Sequence, residues 1–376
     1  MSVTPPPHRA ALDGVRGLAA LGVLAFHVWL YRDDRPHGRR SALVDHVLFS
    51  ANLGLVAFFV LSGFLLYRAY ARAALTRTAP PRAVDYARKR IARIVPAYYA
   101  CGIACVVLYS TVGPDKILPS ANELPAFAVF AQNYSLDTLM QLNPVLWTLS
   151  VEAAFYVALP LLAALTIRLG FRAHALALAG LIGIGIGFTM LHHALRLGEV
   201  AGKTLPEYIG VFAAGMLAAL LVERRNTSLT EVFTSMCMLL GLAMVILRAA
   251  WNESSLGDSL MRAALLAPLS AVGFALVVAA ASDGRGPAIA WLRARALVYA
   301  GLVSYGIYLW HVPVILVLDD RGALPASLWP RLLVVGAATI AIATVSWRVV
   351  ERPALARMRA RRRRAVGWGK PAVEVS

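Results

Sequence analysis

The feature that most constrains this chain is the recurrence of apolar runs about 20 residues long, the length a helix needs to cross the bilayer's hydrocarbon. Ten segments qualify: 12–31, 48–67, 94–112, 145–167, 173–192, 208–222, 230–250, 263–282, 296–318 and 332–350. Several hold no charged residue, among them Ala173–Leu191 and Leu332–Trp347. The runs cover most of the 376 residues, and no repeat or Ser/Gly/Pro-rich linker divides them. Composition agrees. The chain is 59% hydrophobic and 15% charged, against roughly 45–50% and about 25% in soluble domains. That excludes an ordinary soluble enzyme, a disordered chain and a disulfide scaffold.

The expected fold is therefore all-α and polytopic, with about ten transmembrane helices. It divides into an N-terminal tail (1–11), a single membrane domain (12–350) and a basic C-terminal tail (351–376). Met1–Ala11 lacks a positively charged start, and the first run carries Arg16 and His27 internally. It reads as a retained helix rather than a cleaved signal peptide.

The net charge of +17 would point to nucleic acid in a soluble protein. In a membrane protein the question is where the cations sit, because cytoplasmic loops collect Lys and Arg. With ten spans both termini share a side. Loops and tails on that side carry 24 of the 37 Lys and Arg, those opposite carry 11 with Arg248 at the end of 230–250 counted among them, and Arg16 and Arg348 fall within spans. The bias predicts cytoplasmic termini and a multi-pass protein of the plasma (inner) membrane. The exception is the first outer loop, where Arg32, Arg35, Arg39 and Arg40 are partly offset by Asp33, Asp34 and Asp45. Arg361–Arg364 reads as a solvated tail facing lipid headgroups, and no nucleic-acid partner is expected. The three cysteines, Cys101, Cys105 and Cys237, read as small apolar packing residues, with no metal site.

Ionisable residues inside a span cost roughly 2.5–3.5 kcal/mol each, so they mark function. Arg16 and His27 in span one, Glu152 in span four and His311 in span nine qualify. Arg16 lies near the cytoplasmic end of an outgoing helix, with His27 about 16 Å further out at 1.5 Å per residue. Glu152 and His311 each fall about two turns from the outer ends of their spans. A His and a carboxylate at one depth suit a general base with its orienting partner. The bland alternatives are a buried His answering a neighbouring helix for His27, an ion-coupling carboxylate for Glu152, and an interfacial aromatic belt with Trp310 for His311.

The loop after span two is dense in cations, and for Arg72 and Arg77 a purely topological role is the simpler reading. Arg88-Lys89-Arg90 and Arg93, within two turns at the mouth of span three, suit a polyanionic cytosolic ligand, since arginine offers phosphate a bidentate contact. Phosphate inside and a base further out point to group transfer from a cytosolic donor.

On these residues the chain resembles the acyltransferase 3 family. Leu12-Asp13-Gly14-Val15-Arg16-Gly17-Leu18-Ala19-Ala20 with His27 is similar to the family's opening signature. Phe58-Phe59-Val60-Leu61-Ser62-Gly63-Phe64-Leu65-Leu66, Arg88-Lys89-Arg90 leading to Arg93-Ile94-Val95-Pro96, and Trp147-Thr148-Leu149-Ser150-Val151-Glu152 with Phe155-Tyr156 follow in order. Ser304-Tyr305-Gly306-Ile307-Tyr308-Leu309-Trp310-His311 and Glu351-Arg352-Pro353 complete the set. The resemblance runs from about Leu12 to Pro353. It implies a membrane O-acyltransferase passing an acyl group, commonly acetyl, from acyl-CoA to a hydroxyl of a carbohydrate or natural product. His27 would be catalytic with Arg16 as partner cation, Glu152 would support the site, and Arg88, Arg90 and Arg93 would meet the coenzyme A phosphates. Asp13, Ser62, Trp147, Ser150, Tyr305 and His311 are further candidates. Ala153 and Ala154 after Glu152 depart from the polar residues the family often has there.

The two readings meet in one mechanism. His27 deprotonates the acceptor hydroxyl or is itself acylated first; Glu152 or a nearby group orients the imidazole; Ser62, Tyr305 or a backbone N–H steadies the oxyanion. Donor and base lie at different depths, so a pore must carry the pantetheine arm up from the Arg88/Arg90 mouth. Gly257-Asp258-Ser259-Leu260 spells the start of a hydrolase motif, but in a short loop with no following Asp-x-x-His it reads as chance. Acceptors in view are a surface polysaccharide, a lipid-linked glycan or a secreted natural product such as a macrolide, with loop 113–144 the longest for contacts. The rival class is a transporter, which Gly180, Gly183, Gly185 and Gly187 in span five would suit. The two separate on thiol release: an enzyme consumes acyl-CoA as label moves, whereas a transporter moves label and liberates none.

Overall fold

The computed structural model describes residues 7–32, 43–114, 117–225, 230–251, 259–283 and 285–365. Gly257 and Asp258, and Asp33 to Arg40 of the first outer loop, lie outside the described residues. The described residues are helical or irregular throughout. That follows from the solvent: in hydrocarbon a backbone must satisfy its own N–H and C=O groups, and a helix does so within one segment.

The chain opens with α1 (Pro7–Leu30), a short α2 (Leu43–Ser50), α3 (Gly54–Thr76) and α4 (Ala83–Thr111). The stretch between spans three and four folds into two short helices, α5 (Leu124–Ala128) and α6 (Leu136–Leu139). Next come α7 (Trp147–Thr166), α8 (Phe171–Leu195), a one-turn α9 (Gly198–Ala201) and α10 (Leu205–Arg224). The last part holds α11 (Glu231–Trp251), α12 (Ser259–Asp283), α13 (Arg295–Leu302), α14 (Ser304–Asp320), α15 (Leu328–Ser346) and α16 (Arg352–Ala365).

Every expected span has a helical counterpart, but the count of spans differs. Among the described residues eight helices are long and apolar enough to cross a membrane, or nine with α13 and α14 taken as one span. That span is broken at Val303, where the axis turns by 76°. The counterpart of 263–282 is α12, of which Pro268–Ser282 is a shorter apolar stretch. The tail expected from 351 begins instead as helix. A π-helical turn, Trp347–Glu351, joins α15 to α16.

Helix association in lipid relies on close van der Waals contact, and small residues permit it. α1 packs on α13 and α14, α3 on α10, α10 on α8, and α11 on α12. At the α3–α10 crossing Gly63 lies against the Phe212 carbonyl and Gly215 against the Val60 carbonyl, so a β-carbon at either would overlap backbone. At α1–α13, Gly17 meets the Leu297 carbonyl and Gly301 meets that of Asp13. The glycines of α8 behave differently. Only Gly185 packs, against Gly210 of α10, whereas Gly180, Gly183 and Gly187 have nothing within 4 Å. They form no hinge in an unbroken 25-residue helix.

Polar groups in the bundle are answered across helices. The Tyr67 hydroxyl lies 2.7 Å from Thr166 Oγ1 and 2.6 Å from His174 Nε2. Arg68 and Arg72, expected as loop cations, donate to the two oxygens of Glu223 at 2.6 and 2.9 Å. The three cysteines are free and buried. Overpacking a tight contact costs about 1–3 kcal/mol or more. Gly63→Val should therefore lower the melting temperature of detergent-purified protein sharply. Gly336→Val, on α15 with open space around its α-carbon, should leave it within a degree or two.

Candidate active site

Two recesses of the bundle are lined by most of the residues singled out from sequence. The first, of about 730 Å³, is lined by Arg16, Ser62, Lys89, Arg90, Arg93, Glu152, Tyr156, Ser304 and Tyr305. The second, of about 720 Å³, is lined by His27, Asn52, Trp147, His193, Lys203, Glu207, Tyr208 and Arg248. Leu55, Thr148 and Tyr308 belong to both walls. The hydroxyls of Thr148 and Tyr308 lie 2.7 Å apart.

The first recess is cationic because α4 turns Lys89, Arg90 and Arg93 to one face at i, i+1 and i+4. Arg88 falls on the opposite face, exposed, and does not line the recess. The Arg93 guanidinium lies 5.8 Å from the Trp347 ring and that of Arg90 6.0 Å from Tyr86. The Arg90 Nε is buried with no hydrogen-bond partner. Deeper in, Arg16 donates to Ser304 Oγ at 3.1 Å and lies 3.6 Å from Asp13. Glu152 accepts from Ser62 at 2.8 Å on one oxygen and from the Tyr156 hydroxyl at 2.8 Å on the other. Its charged neighbours are Arg90 and Arg16. The Tyr305 hydroxyl donates to the Ile94 carbonyl at 2.9 Å. Ser62 and Tyr305, offered as oxyanion donors, are thus both already donating. Ser150 is buried outside both recesses.

His27 has another partner than Glu152. Its Nδ1 lies 2.9 Å from the Val23 carbonyl and 3.1 Å from His311 Nε2. His311 is fully buried, and its own Nδ1 lies 3.0 Å from the Ile307 carbonyl. A carbonyl only accepts, so assigning tautomers from the network puts the proton on Nδ1 of both rings. The His27 N–H is then shared between Val23 and the lone pair of His311 Nε2. His27 Nε2 is the unprotonated nitrogen left over, on a ring that lines the second recess. The bond lies where α14 comes back against α1, with residues 284 apart in sequence.

Sequence reasoning passed over several residues. Arg248, tallied with a loop, lies inside α11 and reaches the His27 recess. Tyr208, Lys203 and Glu207 come with it from the α9–α10 region. Glu351, on the π-helical turn, is 1% exposed with both carboxylate oxygens lacking a hydrogen-bond partner, and Arg93 and Arg16 are its charged neighbours. It opens the Glu351-Arg352-Pro353 block, which was read as part of the family resemblance without a site role for the carboxylate. Among the described residues no group of three or more His, Cys, Asp or Glu gathers to hold a metal.

A helical bundle with polar recesses inside it defines a multi-pass membrane protein with an interior site. The family model for an acyltransferase domain, acyltransferase 3, matches residues 9–348, and the chain belongs to that family. It is an acyltransferase of the plasma membrane, acting on an acyl donor. It is similar to nodulation protein 10 of Rhizobium leguminosarum bv. viciae, 29% identical over 93% of this chain and 94% of that protein. It is also similar to the peptidoglycan O-acetyltransferase OatA of Listeria monocytogenes, 24% identical over 91% of this chain and 55% of that protein. The O-acetyltransferase OatA of Staphylococcus aureus is 26% identical over 42% of this chain and 25% of its own length. No solved structure matches.

Glu152 ties two helices together through Ser62 of α3. Removing the carboxylate leaves two hydroxyls and two cations without their shared partner, a loss of about 1–3 kcal/mol or more. Glu152→Ala should lower thermal stability in detergent more than Ser62→Ala or Tyr156→Phe alone, as read by a melting assay.

Proposed function

We propose that this chain is an O-acetyltransferase that takes acetyl from acetyl-CoA at the Lys89/Arg90/Arg93 recess and delivers it to a carbohydrate hydroxyl in the His27 recess. The observation that carries the reading is the wall the recesses share at Leu55, Thr148 and Tyr308. A donor bound by its phosphates on one side extends its thioester arm toward that wall, and the acceptor approaches from the other. The bias of Lys and Arg supports ten spans with both termini cytoplasmic, which puts the basic recess on the cytosolic side and His27 toward the outside. The relatives named for O-acetyl transfer and for peptidoglycan favour a carbohydrate acceptor. So does the second recess, where Trp147 and Tyr208 stand 5.7 Å apart and offer ring faces to a sugar.

Arg90 and Arg93 fit coenzyme A because among the described residues neither guanidinium has an ion pair, the Arg90 Nε has no hydrogen-bond partner, and both line the first recess. Planar forks of this kind take phosphate oxygens in pairs. Lys89 takes the place that Arg88 was expected to hold. In the second recess His27 Nε2 accepts the hydroxyl proton as the acceptor oxygen attacks the acyl carbon. The carbon–sulfur bond breaks, and the same nitrogen returns the proton to the departing sulfur. His311 is a positioning residue: its lone pair holds the His27 N–H in place and stabilises the imidazolium while the proton is resident. Glu152 and Arg16 organise the donor side and do not orient the imidazole. The hydroxyls of Thr148 and Tyr308 are the polar groups of the shared wall and are the candidates to meet the developing oxyanion.

General-base catalysis contributes about 10²–10⁴-fold. In proteoliposomes with labelled acetyl-CoA, His27→Ala should keep membrane expression and lose transfer by that factor; retained transfer would sink the assignment. His311→Ala should lower kcat with little change in either KM. His311→Asn, which keeps an acceptor atom near His27 Nδ1, should recover part of it, whereas a packing role would give no such rescue.

A further inference from the structure

We infer that the acceptor carries an anionic group, a carboxylate or a phosphate, and that Arg248 binds it. The inference rests on reading the His27 recess as the acceptor site. Arg248 lies three residues from the end of α11, in an apolar stretch running Val245-Ile246-Leu247 before it and Ala249-Ala250-Trp251 after it. It lines the His27 recess and is partly buried there. Its Nε is buried without a hydrogen-bond partner, and it makes no ion pair among the described residues.

An arginine in a membrane helix is costly and normally finds a partner. Others in this bundle do. Arg68 and Arg72 share Glu223, Arg331 pairs with Asp319 at 2.5 Å, and Arg16 has Asp13 and Ser304. Among the described residues the one carboxylate lining the recess, Glu207, lies 3.2 Å from His192 Nδ1, and Lys203 pairs with Glu199 at 3.2 Å. Among the described residues Arg248 is the arginine of that recess with no ion pair.

Its surroundings say what kind of anion. The donor phosphates belong to the other recess, which α11 does not line. The same recess is lined by the Trp147 and Tyr208 rings, 5.7 Å apart, with the Lys203 ammonium 5.9 Å from the Trp147 ring centre. A sugar stacked on those rings, bearing a uronate or a phosphate ester, would put two oxygens in reach of a planar guanidinium that takes such oxygens bidentately. The same contact would fix which hydroxyl stands at His27 Nε2, making Arg248 a specificity-determining residue.

The test uses full-length protein in nanodiscs and three glucose tetramers: neutral, with one ring oxidised to a uronate, and with one terminal phosphate. Binding is measured in the His27→Ala background, so no turnover is needed. One of the charged tetramers should bind at least about tenfold tighter than the neutral one, the size expected for a charge-assisted bond. Whichever arm shows it identifies carboxylate or phosphate. Arg248→Gln should bring the ratio to about one, and Arg248→Lys, which keeps charge but loses the fork, should give an intermediate ratio. Equal binding of all three, no binding of either charged tetramer, or a ratio unmoved by Arg248→Gln overturns the inference. Thiol release from acetyl-CoA equal in the unmodified protein and His27→Ala would instead overturn the acyl-transfer reading, independently of the binding ratio.

Discussion

A polar side chain surrounded by hydrocarbon has to be answered by another group, and in this bundle the answers come across helices. Arg16 of α1 reaches Ser304 of α14, Ser62 of α3 and Tyr156 of α7 close on Glu152, and His311 of α14 meets His27 of α1. Each bond needs backbones close enough for short side chains to span the gap. The glycines at α1–α13 and α3–α10 provide that approach. The same contacts that hold the helices together therefore define where the recesses open and which atoms face them.

In the proposed reaction, two recesses meeting at one wall resolve the separation between a donor at the α4 cations and a base, His27, that stands about 16 Å beyond Arg16 along α1. A single cleft would have to expose the thioester to water at one face or bring the acceptor through the bilayer. Thr148 and Tyr308 stand in the wall between the two recesses, so the proposed donor and acceptor would each be held on its own side. The break at Val303 contributes to this. It lets Ser304 serve the first recess while His311, two turns on, backs the second.

Much of the site was legible as residue types. An ionisable group in an otherwise apolar run stands out at once, and Arg16, His27, Glu152 and His311 all line a recess or back one. What went astray was pairing and phase. Depth along neighbouring spans put Glu152 beside His27, but equal depth says nothing of which face a side chain takes, and Glu152 faces the other recess. Arg88 and Lys89 differ by 100° around α4, and only the packing of that helix decides that Lys89 lines the recess. Arg248 was missed because it was counted with the outer loop although it stands inside 230–250, two residues from the end of that run. The segment 113–144, read as an open loop, folds its short helices against α4 through Tyr98 and Tyr99, whose hydroxyls donate to the Phe127 and Ala128 carbonyls.

By itself the sequence determined that this chain is an all-helical membrane protein of a known acyltransferase family, because length, apolarity and motif order are properties of single segments. It also determined which side chains are too polar for their surroundings and so have to be partnered or used. The tertiary structure alone decided the partners. It joined His27 to His311 across 284 residues, gave Glu152 to Ser62 and Tyr156, and left Arg248 facing an open recess. Those are relations between helices, set by which faces pack together, and no segment read alone contains them.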